Sequence, residues 1–242
     1  EADLGTRLVH RSTRHVALTA VGARVAEQAR RVLDEVRHLQ RLAEQSRTEI
    51  RVGYAWAALG RHTRRFQKGW TAAHPAMPLR FVQVNEPTAG LAEGAADVAV
   101  IRRPLGDARF ATARIGLEAR YAAVATDNTL ARRRSVRLAD LARYPIATDP
   151  RTGTTTPDLF PPDTPPASIR STHSVEDWLT TIALNQAVGI TSEATAHQNP
   201  RPGVAYRVLR DVPPIQVQLA WWKDDPPALL PELLEMLRAT FR

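Results

Sequence analysis

Side chains able to hold a small anionic or aromatic molecule gather in four short segments: Tyr54-Ala-Trp56-Ala57, Ile101-Arg102-Arg103, Thr148-Asp-Pro-Arg151-Thr152-Gly153 and Thr172-His173-Ser174-Val175. A guanidinium at Arg102 or Arg151 can make a charge-assisted fork to a carboxylate, and the Trp56 indole can stack on a ring. Thr172 and Ser174 offer hydroxyls, as does Thr191 behind Gly189-Ile190. Plainer readings stand beside these: Ser174 as a helix cap, Arg102 and Arg103 as solvated charges, Trp56 as a plug at an interface. Catalysis has less support. Ser171, His173 and Asp177 are neighbours in sequence, but a nucleophilic triad needs a geometry that adjacency does not supply. No glycine-rich phosphate loop or nucleophile elbow is present, and His10 and His15 lack the company of further metal ligands. No catalytic residue, metal or cofactor is expected.

The four segments fall where strands are expected to end. From Ile50 onward strand and helix patterns alternate: a strand at Ile50–Tyr54, a helix over Leu59–Ala73, a strand at Leu79–Val84, a short helix around Thr88–Glu93 and a strand across Ala96–Ile101. Such alternation predicts a parallel sheet covered by helices, in an α/β fold. In open α/β sheets ligands bind beyond the carboxyl ends of the strands, near helix N-termini. The proline-rich stretch Pro157–Pro166 predicts a loop.

The chain before residue 50 has a different pattern. Leu8-Val9-His10 and His15-Val16-Ala17-Leu18 are strand-like runs around Arg11-Ser12-Thr13-Arg14, a hairpin whose basic tip can contact phosphates or enter a minor groove. Thr19 stands where a hydroxyl can cap a helix running from Ala20 to about Gln45. Val25, Ala29, Val32, Val36, Leu39 and Ala43 recur along it at spacings of 4, 3, 4, 3 and 4, a heptad seam. Such a seam pairs with a second helix, and a homodimer is the preferred reading over packing on the chain's own domain.

Composition narrows the partners. The net charge of +8 favours acidic partners, DNA foremost, although 31 of the 33 basic residues are Arg, as GC-rich coding also produces. Between Arg7 and Arg31 there are six arginines against the single acid Glu27. Absence of Cys excludes disulfides and thiolate metal sites and fits a cytoplasmic protein. No run approaches the roughly 18 apolar residues of a membrane span.

The order of motifs resembles that of LysR-type transcriptional regulators. Glu1-Ala-Asp-Leu-Gly5 resembles the end of their recognition helix. Arg7-Leu-Val-His-Arg11-Ser12, with Leu18-Thr19-Ala-Val-Gly22 behind it, resembles their wing, Val9 replacing a usual Phe. Gly94-Ala-Ala-Asp97-Val-Ala-Val, Val136-Arg-Leu-Ala-Asp-Leu-Ala-Arg-Tyr-Pro145-Ile and Ala187-Val-Gly-Ile190 are similar to motifs of their effector domain. The resemblance implies a winged helix-turn-helix remnant over 1–19, with the scanning helix and most of the recognition helix preceding residue 1. It further implies a linker and dimerisation helix over 20–46 and a receptor like the type 2 periplasmic binding proteins. One receptor lobe would comprise 49–121 and 220–242, the other 122–219, with hinge strands at Tyr121–Ala125 and Val217–Trp221 and a last helix, Leu229–Phe241, returning to the first lobe.

By the same resemblance Arg7, Arg11, Ser12, Thr13 and Arg14 would touch DNA, beside a complete head. Val25, Ala29, Val32, Val36 and Leu39 would pair two copies, and dimers would assemble into tetramers. Tyr54, Trp56, Ala57, Arg102, Arg103, Arg151, Thr152, Thr172, Ser174 and Thr191 would surround an effector. Two departures weigh against a standard carboxylate pose. Tyr54–Ala57 stands where relatives often place Ser or Thr, and Thr191-Ser192 replaces an apolar pair ending in Pro. The alternatives are a headless ligand-binding dimer and a solute-binding protein without sequence-specific DNA binding.

Overall fold

A computed structural model describes residues 1–11, 16–43 and 48–242. The chain falls into two compact units, Glu1–Ser46 with Ala92–Gly94, and Arg47–Leu91 with Ala95–Arg242.

In the first unit β1 (Val9–Arg11) pairs antiparallel with β2 (Val16–Leu18), Val9 opposite Leu18 and Arg11 opposite Val16. The hairpin tip, Ser12, Thr13, Arg14 and His15, lies outside the described residues, as does Gln45, the expected helix end. Helix α1 (Ala20–Leu42) opens on Thr19, whose Oγ1 accepts from the Gly22 N–H at 2.9 Å and donates to the Arg7 carbonyl at 2.9 Å. A Cβ on Gly22 would stand 1.9 Å from the Leu8 carbonyl oxygen, so only glycine lets the helix cross the strand so closely. The Glu1 carboxylate accepts from the Leu8 and Val9 N–H groups, and these bonds hold it below the usual carboxylate range. At 1.5 Å per residue α1 is about 34 Å long. Its seam residues Ala29, Val32, Val36 and Leu39 are exposed and Val25 is half-buried, with Leu33 and Leu42 widening the bare apolar stripe.

The second unit has two lobes. Lobe 1 contains β3 (Ile50–Tyr54), α2 (Thr63–Ala73), β4 (Leu79–Gln83), β5 (Val98–Ile101) and β6 (Phe110–Glu118). The chain then builds lobe 2 from β7 (Arg120–Ala125), β8 (Ser135–Val136), α3 (Leu138–Leu141), β9 (Pro145–Thr148), β10 (Ser168–Ser171), α4 (Val175–Ala183), β11 (Val188–Ser192), α5 (Glu193–Gln198) and β12 (Val204–Leu209). It returns to lobe 1 with β13 (Ile215–Trp222) and α6 (Leu230–Thr240). The lobe 1 sheet has the order β4-β3-β5-β13-β6, parallel through its first three strands, with β13 antiparallel to both neighbours. The lobe 2 sheet runs β10-β9-β11-β7-β12-β8.

Burial explains why these strands are nearly continuous apolar runs. In lobe 1, Phe66 and Trp70 of α2 and Leu233 and Leu237 of α6 pack with Val52, Val98, Val217 and Leu219 of the sheet. Lobe 2 covers both faces of its sheet, one with Leu130, Leu138, Leu141 and Phe160, the other with Trp178, Leu179 and Ile182 of α4. A Cβ on Gly189 would stand 2.1 Å from the Trp178 ring, so β11 admits the indole only because that residue is glycine.

Three expectations change. The segment at 88–93 is a series of turns, not a helix, because Ala89 (φ 49°), Gly90 (φ 99°) and Gly94 (φ 71°) are left-handed. Both hinge assignments move: Tyr121–Ala125 pairs wholly within lobe 2 and Val217–Trp221 wholly within lobe 1. The chain crosses at Ala119 and again over 210–214, so the lobe boundaries at 121/122 and 219/220 shift upstream. Arg120 ties the crossings together, donating from Nε to the Pro213 carbonyl and from Nη1 to the Thr154 carbonyl, both at 3.0 Å. Finally, the helix expected over Leu59–Ala73 opens with one 3₁₀ turn, Gly60–His62, before α2 begins at Thr63.

Candidate functional site

The carboxyl ends of β3, β4, β5 and β9 converge between the two lobes on a cavity of about 460 Å³, within the range of metabolite sites, roughly 300–1,000 Å³. Trp56, just past β3, and Trp178 of α4 meet edge to face across it, with centroids 5.3 Å apart at 62°. Trp178 is pinned from behind, its Nε1 donating to the Ala147 carbonyl at 2.9 Å.

Asn85, two residues past β4, is the hub of the polar contacts. Its Oδ1 accepts from Trp56 Nε1 (3.1 Å) within lobe 1 and from Thr152 Oγ1 (2.7 Å) across the cleft. Its Nδ2 donates to Asp149 Oδ2 (3.1 Å) and to the His173 carbonyl (2.9 Å), both in lobe 2. The Asp149 side chain is 0% exposed and also accepts from the Arg151 N–H at 2.8 Å, and the Thr152 hydroxyl, 3.2 Å away, shares its one proton between Asp149 and Asn85. Two further tethers join the lobes. Arg151 Nη1 donates to Glu86 at 3.0 Å, and Arg103 Nη1 donates to the Pro150 and Arg151 carbonyls at 3.0 and 3.3 Å.

Of the residues proposed from sequence, Trp56, Ala57, Arg102, Arg103, Arg151, Thr152 and Thr191 line this cavity, whereas Tyr54, Thr172 and Ser174 do not. Tyr54 closes β3, with its carbonyl accepting from Val84 N–H. Ser174 is the N-cap of α4, accepting from the Asp177 N–H at 3.1 Å. Thr172 is 1% exposed, and its Oγ1 has no hydrogen-bond partner among the described residues.

Arg102 departs furthest from expectation. It is neither solvated nor offered to a ligand. Its fork grips Glu118 (Nε 3.0 Å, Nη2 2.8 Å) and it donates to the Ala57 and Ala58 carbonyls at 2.6 and 2.7 Å. The side chains are 9% and 5% exposed, so this is a buried pair clamping the β3 loop to the end of β6. Of the neighbouring Ser171, His173 and Asp177, the Asp177 carboxylate accepts from the His173 backbone N–H and lies 3.7 Å from its ring.

A second cavity, about 130 Å³, lies where α5 meets the 3₁₀ turn before α2. Arg61 and His197 approach Glu193 at 3.1 and 3.7 Å. Burial, with Arg61 alongside, holds His62 below its ordinary value, while burial and Glu193 push the Tyr121 phenol up. Among the described residues no three His, Cys, Asp or Glu are grouped to hold a metal ion.

Sequence reasoning did not single out Asn85, Asp149, Trp178 or Glu118. The strand-end rule applied to β3 and β5 would have reached Asn85 had it been extended to β4. No comparable signal points from Arg102 to Glu118, sixteen residues away and at the far end of another strand.

Residues 43–242 match the family described as LysR substrate binding domain. YnfL, an uncharacterized HTH-type transcriptional regulator of Escherichia coli K12, is 29% identical over 164 residues, covering 64% of this chain and 54% of that protein. The match therefore spans about half of the relative's length. CbnR, a LysR family transcriptional regulator, superposes with a TM-score of 0.65 at 23% identity, over 98% of this chain and 86% of its own. CbnR complexed with its target DNA gives 0.65 at 22%, over 100% and 86%. The BenM effector binding domain with its effector benzoate gives 0.64 at 19%, over 79% and 90%. The two-lobed architecture is thus that of these effector-binding domains, a periplasmic-binding-protein-like fold. With the match running from the end of α1 through the last residue, the chain belongs to the LysR substrate binding domain family.

Proposed function

We propose that this chain is the ligand-sensing and pairing part of a LysR-type transcriptional regulator acting in the cytoplasm, and that it is not an enzyme. The observation that carries the reading is the cleft itself. Side chains from both lobes converge on one cavity, so a ligand seated there differs in its contacts between open and closed lobes. Differential contact of that kind is what allows a ligand to shift a conformational equilibrium. The fold shared with the benzoate-bound BenM domain supports the cleft as the ligand site. Trp56, Ala57, Arg103, Arg151, Thr152 and Thr191 form its wall.

The N-terminal unit supplies pairing and DNA contact. Val32, Val36 and Leu39 lie bare along α1, in register with Val25 and Ala29, and would be covered by the same helix of a second copy. Two such dimers would form the tetramer. Arg7 and Arg11, both exposed, would sit on phosphates beside Ser12, Thr13 and Arg14. CbnR bound to its target DNA has the same fold and supports this role. No helix among the described residues is long and apolar enough to cross a membrane.

The test is an anisotropy titration, at fixed salt, of the gene's full-length product against duplexes from the region upstream of that gene, with and without a small molecule that quenches Trp56 or Trp178. A ligand-dependent change in affinity is expected. Ligand binding with no change in DNA affinity would favour the headless-receptor reading instead.

A further inference from the structure

We infer that an arginine edge of lobe 2, formed by Arg132, Arg134, Arg137 and Arg210, is a second surface for the phosphate backbone of duplex DNA. This rests on the reading of the chain as part of a DNA-bound regulator. The sequence marks the place first. Ala131–Arg143 holds five Arg in thirteen residues against one acid, Asp140, whereas an even spread of the chain's 31 Arg over 242 residues would put about two there. GC-rich coding raises Arg along the whole chain, so it does not account for a local cluster.

The fold then sets these residues on a fixed edge. The 3₁₀ turn Thr129–Arg132 opens on Asn128, whose side chain accepts from the Leu130 N–H at 3.0 Å. β8 follows at the margin of the lobe 2 sheet, parallel to β12. The same pairing brings Arg210 alongside, its N–H donating to the Val136 carbonyl at 3.2 Å. Arg207 Nε holds the Ala131 carbonyl at 2.9 Å. Leu130, Val136, Leu138 and Leu141 belong to the core, while the four arginines of the edge are exposed.

Their charge is largely unmatched. Asp140 is engaged by Arg133 at 2.8 Å and by the Arg137 N–H at 2.9 Å, with Arg143 close by. Asp211 accepts from the Leu138 N–H at 2.9 Å. Among the described residues Arg132, Arg134, Arg137 and Arg210 form no ion pair.

The choice of DNA over an acidic protein follows from what the edge lacks. Protein interfaces are anchored by apolar and aromatic side chains at a core poor in charge. Here the apolar residues Val136, Leu138 and Leu141 are all buried, and what faces out is guanidinium. Exposed arginines of this kind suit phosphate oxygens, which need charge and hydrogen-bond donors and no apolar anchor. Such contacts are weak alone, with Kd roughly 10⁻⁴–10⁻⁶ M. They gain weight in a protein already held on DNA by another part, because the second contact is then intramolecular.

The experiment measures binding of the gene's full-length product to a random-sequence duplex, as log K against log salt between about 50 and 200 mM. The triple variant Arg132→Gln, Arg134→Gln, Arg210→Gln spares Arg137, the N-cap residue of α3. Its control, Arg64→Gln, Arg65→Gln, Lys68→Gln, removes equal charge from exposed positions of α2. The lobe 2 variant should make the salt slope shallower by about two to three, near one per lost phosphate contact, and the control by less than about one. Equal effects of the two variants would reduce the edge to net charge, and an unchanged slope in the lobe 2 variant would remove it from DNA; either overturns the inference and leaves the regulator reading standing. Polyglutamate that displaces the product from the duplex through this edge alone, losing its effect in the lobe 2 variant, would assign the edge to an acidic protein instead. A wild-type product with no affinity for any duplex at low salt overturns the regulator reading as well.

Discussion

Replacing Asn85 with Ala should part the two lobes without unfolding either. Three of its hydrogen bonds cross the cleft: from Thr152 Oγ1, to the His173 carbonyl and to the Asp149 carboxylate. The two neutral bonds are worth about 1 kcal/mol each and the charged one about 2, giving a gross loss of ~4 kcal/mol. Asn85 is only half-buried, so water will take up part of this, and roughly 2 kcal/mol of closure should be lost. That is about a 30-fold shift toward open lobes. Small-angle scattering should show a larger radius of gyration, and the Trp56–Trp178 contact should loosen, changing tryptophan emission. Asn128→Ala is the matched control. Asn128 is 5% exposed and bonds the Leu130 N–H and Asn185, all within lobe 2. It should lower the melting temperature without moving the lobes. If Asn85→Ala leaves radius and emission at wild-type values, or Asn128→Ala moves them equally, the hub assignment is wrong.

Glu118→Ala should leave Arg102 buried and uncompensated, costing about 3–5 kcal/mol. Calorimetry should then show a fall of roughly 6–20 °C at this chain size, while Arg151→Ala, whose partner pair is 42% and 41% exposed, should cost under about 1 kcal/mol. Leu39→Glu, at a position 64% exposed in the single chain, should leave the melting temperature nearly unchanged and turn a sedimenting dimer into a monomer; a dimer that persists would move the interface off α1. His62 titrates below its ordinary value because burial and Arg61 disfavour its charged form. The unfolded chain therefore takes up that proton first, and stability falls as pH drops through about 6.5. His62→Gln should show a shallower loss between about pH 7 and 5, and identical slopes for the two proteins would remove His62 as a cause.

What could be read beforehand was what periodicity and local chemistry determine. Ile50–Tyr54 and the Thr19 cap are set by neighbours within a few residues, and each lies where the pattern placed it. The turns at 88–93 read as a helix in the sequence because Ala89 takes a left-handed conformation that its own side chain does not announce, although Gly90 and Gly94 flank the break. The lobe crossings were displaced because an apolar strand reads the same in either sheet; only pairing, β7 with β12 and β13 with β5, assigns it. Arg102 reads as a ligand contact in the sequence for a related reason. An arginine at a strand end looks available until its partner is known, and Glu118 arrives only once β6 pairs with β13, one strand removed from β5.

The strength of the tethers decides what a ligand must accomplish. Side chains of lobe 1, Asn85, Glu86 and Arg103, all grip the short lobe 2 stretch from Asp149 to Thr152, with Asn85 also taking the His173 carbonyl. The Glu86–Arg151 pair is solvent-washed and worth at most about 1 kcal/mol, so of these two tethers Asn85, with its bonds to the buried Asp149 and Thr152, contributes more to closure. A bias of roughly 2 kcal/mol is small enough for one small molecule to reverse or double, since a ligand favouring one lobe arrangement 100-fold contributes about 2.7 kcal/mol. A much stronger latch would hold the lobes shut whatever was bound, and a cleft without one would bind without reporting. The ligand response should therefore be set by the loop from Asp149 to Thr152, and substitutions there should alter the coupling between ligand and lobe angle more than they alter affinity.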